Sequence, residues 1–286
     1  MAWTRILCPV DGSDISRDAL AYAVAIARWR GAKVHALRVV DTRLPPIAPI
    51  PEGFAVPDDL RTMASVEITR VAAELDAGGL VEPCVTEGEV VGGILEQAAQ
   101  LNVDLIVIGT HGRGGVERFL LGSVASKVLR RADRPVIAVP PGAAGSHAVP
   151  FRSIVCATDL SEPGNRAVTT AAALASDAGA SLVVVHAVEW PFGVESGPDP
   201  LTELRGNLEA EARDQIGRLV PAGQSGVEIA VTTGRPQADI LARSAAAHAD
   251  LLVMGASGRG AVGAGLLGST ADRVIRSAEC PVMIVR

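Results

Sequence analysis

The chain of 286 residues is poor in aromatic side chains, with 4 Phe, 3 Trp and 1 Tyr. So few rings leave little surface on which nucleic-acid bases could stack. The net charge is −6, and this acidic balance argues against nucleic acid or an anionic membrane as the main partner. No apolar run approaches the length of a membrane span, and no charged-then-apolar leader opens the chain. We therefore expect a cytoplasmic protein.

Cysteine is also scarce, and several reactive motifs are missing. The 4 Cys form no CxxC pair, so we expect reduced, mostly buried thiols and no disulfide framework. The chain lacks GxxxxGK[ST] and GxSxG, which argues against a P-loop NTPase and a nucleophilic serine. His111 has no Cys, His or acid nearby at metal-ligand spacing, so we expect a solvent-facing loop histidine and no metal site.

What the chain does have is a long internal repeat. Between Gly109–Ser123 and Gly255–Ser269, 9 of 15 positions are identical, at a constant offset of 146 residues (255 − 109). A period of this length indicates two whole domains, and the chain is long enough for both to bury a core. We predict one domain over residues 1–141 and a second over 150–286. Residues 140–150, rich in Pro, Gly, Ala and Ser, are predicted to link them.

Each repeat alternates apolar, strand-like runs with segments of helical periodicity. This order predicts an α/β fold of two tandem, doubly wound, five-stranded parallel sheets, with ligands bound beyond the carboxyl ends of the strands. Residues 42–57, with five Pro, are predicted to form a loop. The predicted strands are 6–10, 33–40, 81–86, 103–108 and 135–139, then 153–157, 182–187, 227–232, 251–254 and 282–285. The predicted helices are 16–30, 58–77, 92–101 and 123–131, then 165–178, 201–219, 237–248 and 270–276.

The repeated segment has the composition of an anion site. Gly109 and Gly112 follow the fourth strand, where glycine lets the backbone approach a ligand. Gly122 and Ser123 then open a helix, whose N–H groups and positive dipole end attract phosphate. Ser123 could cap that helix or donate its hydroxyl to a phosphate oxygen. Arg113 and its counterpart Arg259 could add charge or be solvated. A plain turn with a helix cap is the alternative, and two copies at fixed spacing favour the phosphate site.

A carboxylate follows the first strand of each repeat, at Asp11 and Asp159. There it could accept hydrogen bonds from ribose hydroxyls or an adenine amino group, or it could serve only as a helix cap. Residues 258–263 match GxGxxG, but they follow a fourth strand and lack an acid at the expected distance. We therefore discount a Rossmann dinucleotide site.

Together these residues resemble the universal stress protein family, whose nucleotide-binding members carry G-x2-G-x9-G-[ST] after the fourth strand. The resemblance covers both repeats, and each carries the motif and the strand-one aspartate. It implies strand order 3-2-1-4-5, ATP binding with or without Mg²⁺, and a homodimer. It also implies pairing of the two domains through the last strands, 136–139 and 282–285. The matching motif residues are Gly109, Gly112, Gly122 and Ser123, and then Gly255, Gly258, Gly268 and Ser269.

The resemblance also implies a role for individual residues in each site. Ala187 replaces the larger Val39 beside adenine, which could weaken binding by about 1–2 kcal/mol through lost burial. The second loop also lacks the charges of Glu117 and Arg118, so we expect the first domain to bind nucleotide more tightly. In the first domain Pro9, Val10 and Asp11 flank the adenosine, Val39 lies against adenine, Gly109, Gly112 and Arg113 wrap the ribose and phosphates, and Gly122, Ser123 and Val124 hold the phosphates. The matching positions in the second are Ala157, Thr158, Asp159, Ala187, Gly255, Gly258, Arg259, Gly268, Ser269 and Thr270.

Three functions remain open at this point. The first is an ATP-binding stress or signalling module with slow or no hydrolysis, because no motif residue is an obvious base. The second is a weak ATPase or adenylate-transferring enzyme, which would need such a base. The third is a partner-binding module with a vestigial nucleotide site. The kind of stress, the protein partner and the role of residues 42–57 are not contained in the sequence pattern.

Overall fold

The computed structural model describes residues 3–41, 58–110, 121–188, 202–258 and 267–286. The chain divides into two compact units, Ala2–Ser146 and His147–Arg286. The predicted loop at residues 42–57 lies outside the described residues, as do Gly112, Arg113 and Arg259.

The first unit is a parallel sheet of five strands with the order β3-β2-β1-β4-β5, which confirms the predicted order for this domain. The order reverses between β1 and β4, so the carboxyl ends of these two strands frame the switch point where such sheets bind ligands. Its elements are β1 (Arg5–Pro9), α1 (Asp14–Arg30), β2 (Lys33–Val40), α2 (Asp58–Glu74), β3 (Val81–Glu87), α3 (Val90–Gln100), β4 (Leu105–Gly109), α4 (Ser123–Arg131) and β5 (Val136–Val139).

The second unit repeats this arrangement, with the order β8-β7-β6-β9-β10 and parallel pairing throughout. Its switch point lies between β6 and β9. The predicted interdomain linker also contains a short 3₁₀ turn at Ala143–Gly145. The elements of the second unit are β6 (Ser153–Ala157), α5 (Glu162–Ala178), β7 (Ser181–Val188), α6 (Thr202–Leu219), β8 (Val227–Thr233), α7 (Pro236–Ala246), β9 (Leu251–Gly255), α8 (Ser269–Ser277) and β10 (Val282–Val285).

The helix after the first strand starts earlier in both units than the apolar spacing predicts. The side chain of Ser13 accepts a hydrogen bond from the Ser16 N–H and caps α1. Ser161 caps α5 in the same way, through the Gly164 N–H. Because serine is a favoured N-cap residue, each helix begins directly after it, at Asp14 and Glu162.

Three of the four cysteines are buried, and all four are free thiols. Burial raises the pKa of Cys8, Cys156 and Cys280, and also that of the half-buried Cys84. The thiols therefore remain protonated at neutral pH, which makes them poor nucleophiles. Among the helices of the described ranges, none is long and apolar enough to cross a membrane.

A carboxylate ties the start of the fourth strand to the start of the first in each unit. Asp104 Oδ2 accepts hydrogen bonds from the backbone N–H groups of Thr4 (2.7 Å) and Arg5 (2.9 Å) and from the Thr4 hydroxyl (2.8 Å). Asp250 accepts three backbone N–H groups in the second unit, those of Ala148, Arg152 and Ser153. Partial burial raises the pKa of Asp104, but the hydrogen bonds from Thr4 and Arg5 outweigh it, and the pKa lies below its ordinary value.

This clamp predicts a pH-dependent stability. Asp104→Asn should lower the free energy of unfolding of the first unit at pH 7 by about 1–2 kcal/mol, the cost of lost charge-assisted hydrogen bonds. Since the pKa of Asp104 is lower in the folded state, its stabilisation is present above the unfolded pKa and is lost as pH falls through the folded value. Urea unfolding, followed by the fluorescence of Trp3 and Trp29, should show the gap between wild type and variant closing below about pH 4. An equal gap at pH 7 and pH 3 would contradict this role.

Candidate functional site

The first and fourth strands of each unit end against the helix that follows the first strand, and glycine makes this approach possible. A Cβ on Gly109 would lie 2.8 Å from Ile15 Cγ2 and 3.1 Å from the Ile15 carbonyl oxygen. A Cβ on Gly255 would lie 2.7 Å from the Pro163 carbonyl carbon and 2.9 Å from the Gly164 nitrogen. These two glycines therefore serve the packing of strand against helix, a role that the sequence analysis did not assign.

The aspartate after the first strand organises the turn that leads into that helix. Asp11 Oδ1 accepts hydrogen bonds from the Ser13 N–H (3.0 Å) and hydroxyl (2.6 Å). Asp159 Oδ1 accepts the same pair from Ser161, with the N–H at 3.1 Å. Each helix is capped by the serine, and the aspartate positions that serine. Both carboxylates are half-buried at the carboxyl edge of their sheet.

The residue between strand and aspartate is held from two sides. The Val10 N–H donates to the Leu37 carbonyl at 2.8 Å, and its own carbonyl lies 3.5 Å from Arg38 Nη1. The Thr158 N–H donates to the Val185 carbonyl at 3.0 Å, and its carbonyl lies 2.8 Å from Nδ1 of the buried His186. Arg38 and His186 occupy the same place in β2 and β7, and each precedes the residue expected beside adenine.

That adenine position differs between the units in more than one residue. Val39 lies beside Gly93 of α3, where an added Cβ would be 3.1 Å from Val39 Cγ1. In the second unit Ala187 pairs in register with Thr232, whose hydroxyl donates to Asp239 at 2.9 Å. Asp239 stands in α7 where Gly93 stands in α3, 146 residues earlier. The second unit therefore has a smaller residue than the first at the adenine position, Ala187 in place of Val39, and a larger, acidic residue nearby, Asp239 in place of Gly93.

The helices that follow the glycine motif begin without a side-chain cap. Gly122 is the N-cap of α4 and Gly268 that of α8, and neither provides a side-chain acceptor. Their own N–H groups donate back to the Thr110 and Ala256 carbonyls, at 2.7 and 2.8 Å. By contrast, Ser13, Glu89 and Ser161 cap α1, α3 and α5, whereas α7, which follows Arg235, also lacks a side-chain cap. Among the residues that the structure describes, none provides a side-chain cap for the first N–H groups of these two helices, those of Ser123 and Val124 in α4 and of Ser269 and Thr270 in α8.

The glycine motif and the aspartate meet directly in the second unit. A Cβ on Gly258 would overlap Asp159 Oδ2. A Cβ on Gly164, at the start of α5, would lie 2.7 Å from Asp159 Oδ1. Two glycines therefore enclose this carboxylate, and it lies next to the start of the motif loop. In the first unit the equivalent residue, Gly112, lies outside the described residues.

The site in each unit therefore combines three kinds of group at one edge of the sheet. Uncapped helix N–H groups can bind an anion, and the aspartate can accept hydrogen bonds from hydroxyl or amino groups. The end of β2 or β7 offers an apolar side chain. Within the described ranges, no three His, Cys, Asp or Glu side chains are grouped closely enough to hold a metal ion.

Comparison with known proteins agrees with this architecture. The model of the Universal stress protein family matches residues 2–140 and 150–286. A universal stress protein of Mycobacterium tuberculosis is 30% identical over 311 aligned positions, which cover 98% of this chain and 94% of the relative. One from Methanocaldococcus jannaschii is 36% identical over 141 residues, 48% of this chain and 82% of its own.

Solved structures extend the likeness of fold to the whole chain. A universal stress protein from Archaeoglobus fulgidus superposes with a TM-score of 0.66 at 24% identity, covering 99% of this chain and 96% of that one. A functionally unknown protein from Pseudomonas aeruginosa gives a TM-score of 0.70 at 19% identity, covering 99% and 92%.

Proposed function

Because the chain belongs to the universal stress protein family, we propose that each of its two repeats binds ATP and that the protein acts as a nucleotide-dependent stress or signalling module. The observation that carries this proposal is the close approach of Gly258 to Asp159, with the uncapped start of α8 nearby, since a Cβ on Gly268 would lie 3.7 Å from the Gly258 nitrogen. A ligand with both phosphate and hydroxyl groups would need a helix start and a carboxylate close together in this way.

The nucleotide is proposed to lie along the carboxyl edge of the sheet. Its phosphates would accept hydrogen bonds from the first N–H groups of α4 or α8, where the helix dipole favours negative charge. Its sugar and base would lie against Asp11 and Val39, or against Asp159 and Ala187. Arg113 and Arg259 are proposed to add positive charge, with or without Mg²⁺. The lack of a side-chain cap favours phosphate binding at the starts of α4 and α8. If a capping side chain were present, a phosphate would have to displace it to reach the same N–H groups.

The two sites are proposed to differ in affinity, with the first unit binding more tightly. Val39 offers more apolar surface than Ala187, and Asp239 places a carboxylate near the second base position.

This asymmetry predicts unequal effects of matched substitutions. Asp11→Ala should remove most of the ATP bound at low concentration, while Asp159→Ala should leave it nearly unchanged, because the first site fills first. The expected loss at the substituted site is about tenfold in affinity, the value of a hydrogen bond to a charged group. Equilibrium dialysis with labelled ATP would measure both variants. Equal affinities in the two single variants would contradict the ranking.

The enzyme alternative is tested by the nucleotide that the protein carries. If the module only senses ATP, mass spectrometry of nucleotide released from freshly purified protein should find ATP. ADP or AMP alone would favour a weak ATPase or an adenylate-transferring enzyme. A protein that carries no nucleotide and shows no thermal shift with added ATP would favour a partner-binding module, and the proposal would fail.

A further inference from the structure

The first unit contains a cavity that is largely separate from the proposed nucleotide site: among its described lining residues, Val10 alone is also expected to flank the adenosine. It has a volume of about 170 Å³ and lies between the start of α1, the end of β2 and the middle of α2. Neither Asp11 nor any described residue of the glycine motif lines it. A cavity of about 150 Å³ is large enough to bind benzene, so this one can hold a small ring.

The walls of this cavity, called here the α1–α2 cavity, are apolar at depth. Leu20 and Ile68 line it and are 1% and 4% exposed, and Val10 and Val71 contribute further methyl groups. Burial of a ring against such side chains is favourable in proportion to the apolar area removed from water. This part of the lining therefore selects a ligand with an apolar body.

One charged side chain enters the cavity from the sheet. Arg38 is half-buried, and the hydrogen bond that it donates to the Val10 carbonyl is long, at 3.5 Å. The two other arginines that line the cavity, Arg17 and Arg70, both pair with Glu74, but within the described ranges Arg38 forms no ion pair with a carboxylate. A half-buried guanidinium with one weak neighbour can accept a carboxylate as a bidentate partner.

The remaining charges lie at the exposed rim and balance one another. Asp14, Arg17, Glu67 and Arg70 all line the cavity and are all exposed. Two are acidic and two are basic, and water screens exposed charges strongly. The rim carboxylates oppose an anion only weakly, so the half-buried Arg38 decides which charge the interior prefers.

The second unit does not repeat this chemistry, although its helices align position by position. The buried pair Ile68 and Ala72 of α2 corresponds to Ala212 and Ile216 of α6. On this alignment Arg70 becomes Asp214 and Ala64 becomes Leu208. Arg17 and Arg38 likewise become Asn165 and His186. The three arginines of the α1–α2 cavity are therefore peculiar to the first unit, which is unexpected if they served only the shared fold.

We propose that the α1–α2 cavity is a binding site for a small molecule with an apolar ring and one carboxylate, which pairs with Arg38. The site differs from the proposed nucleotide site in every described lining residue except Val10. A bound ligand would contact α1, α2 and β2 together, next to the turn that carries Asp11. Such a ligand would therefore stabilise the first unit by mass action.

Benzoate is the probe, and benzyl alcohol is its neutral counterpart. Nuclear magnetic resonance of the full-length ¹⁵N-labelled protein should show saturable shifts of the Gly12, Ser13 and Ser16 amides with benzoate. Benzyl alcohol should bind about tenfold more weakly, because it lacks the charge that Arg38 pairs with. Arg38→Met should weaken benzoate binding by a similar factor and remove the preference over benzyl alcohol. Ala64→Phe, which fills the cavity, should abolish binding of both.

Arg213→Met, on the exposed face of α6, is the matched control and should leave benzoate binding unchanged. For Arg38→Met and Ala64→Phe, first-unit amide shifts that are unchanged away from the cavity, together with a cooperative thermal transition, show that the variant is folded. Absence of saturable shifts with wild type would overturn the proposal, as would benzoate binding that survives Arg38→Met and Ala64→Phe. Displacement of benzoate by ATP would also overturn it, because the cavity would then belong to the nucleotide site.

Discussion

Ser123→Asp is expected to weaken ATP binding by the first unit about 100-fold or more while leaving that unit as stable as wild type, or slightly more so. Ser123 is the exposed first residue of α4, and no side chain caps that helix. A carboxylate there would compete with phosphate for the first N–H groups and would repel it. The same carboxylate interacts favourably with the helix dipole, by about 0.3–1 kcal/mol. Because Ser123→Asp is expected to lower ATP affinity but not stability, a loss of binding in this variant cannot be attributed to unfolding.

Two matched variants complete this experiment. Ser123→Ala keeps the backbone N–H donors and removes only the hydroxyl, so its affinity should fall about tenfold at most. Ser269→Asp places the charge at the start of α8 and should affect only the second site. Isothermal titration calorimetry gives affinity and stoichiometry, and thermal unfolding gives stability. If Ser123→Asp binds ATP as wild type does, the phosphates do not lie at the start of α4.

Gly255→Ala is expected to destabilise the second unit by about 2–3 kcal/mol, at the upper end for overpacking. The added methyl group would lie 2.7–2.9 Å from the backbone of Pro163 and Gly164, which cannot move without shifting α5. Gly109→Ala meets the flexible end of Ile15 as well as its carbonyl, so the cost in the first unit should be about 1–2 kcal/mol.

Gly268→Ala is the control for this pair, because its methyl group would meet its nearest neighbour at an ordinary 3.6 Å. It should change stability by less than about 1 kcal/mol. Urea unfolding, with amide hydrogen exchange to assign the loss to one unit, measures all three variants. Equal stabilities of Gly255→Ala and Gly268→Ala would show that β9 and α5 do not approach as closely as described.

The regular elements follow closely from the sequence because their signals are local. The predicted and observed bounds coincide for β2, α4, β6 and β10, where β-branched runs or caps define the ends. The other elements differ from the prediction by one to three residues at one or both ends, and in α1 and α5 the difference arises because a serine cap extends the helix beyond its apolar spacing. The internal repeat supports these predictions further, because the same order of strands and helices occurs twice in the chain.

The parts that escaped prediction are those that depend on distant residues meeting. Arg38 and His186 hold the carbonyl of the residue before the aspartate, yet neither stands out in an apolar strand. Asp239 can be placed near the second site only once β7, β8 and α7 are packed together. The packing role of Gly109 and Gly255 likewise depends on how closely a helix start approaches a strand end.

The central claim is that both repeats bind ATP, and calorimetric titration of ATP into the nucleotide-free wild-type chain tests it most directly. The proposal predicts two sites per chain, the tighter one lost in Ser123→Asp and the weaker one lost in Ser269→Asp. A single site that survives both substitutions, or no binding heat together with no thermal shift, would contradict it.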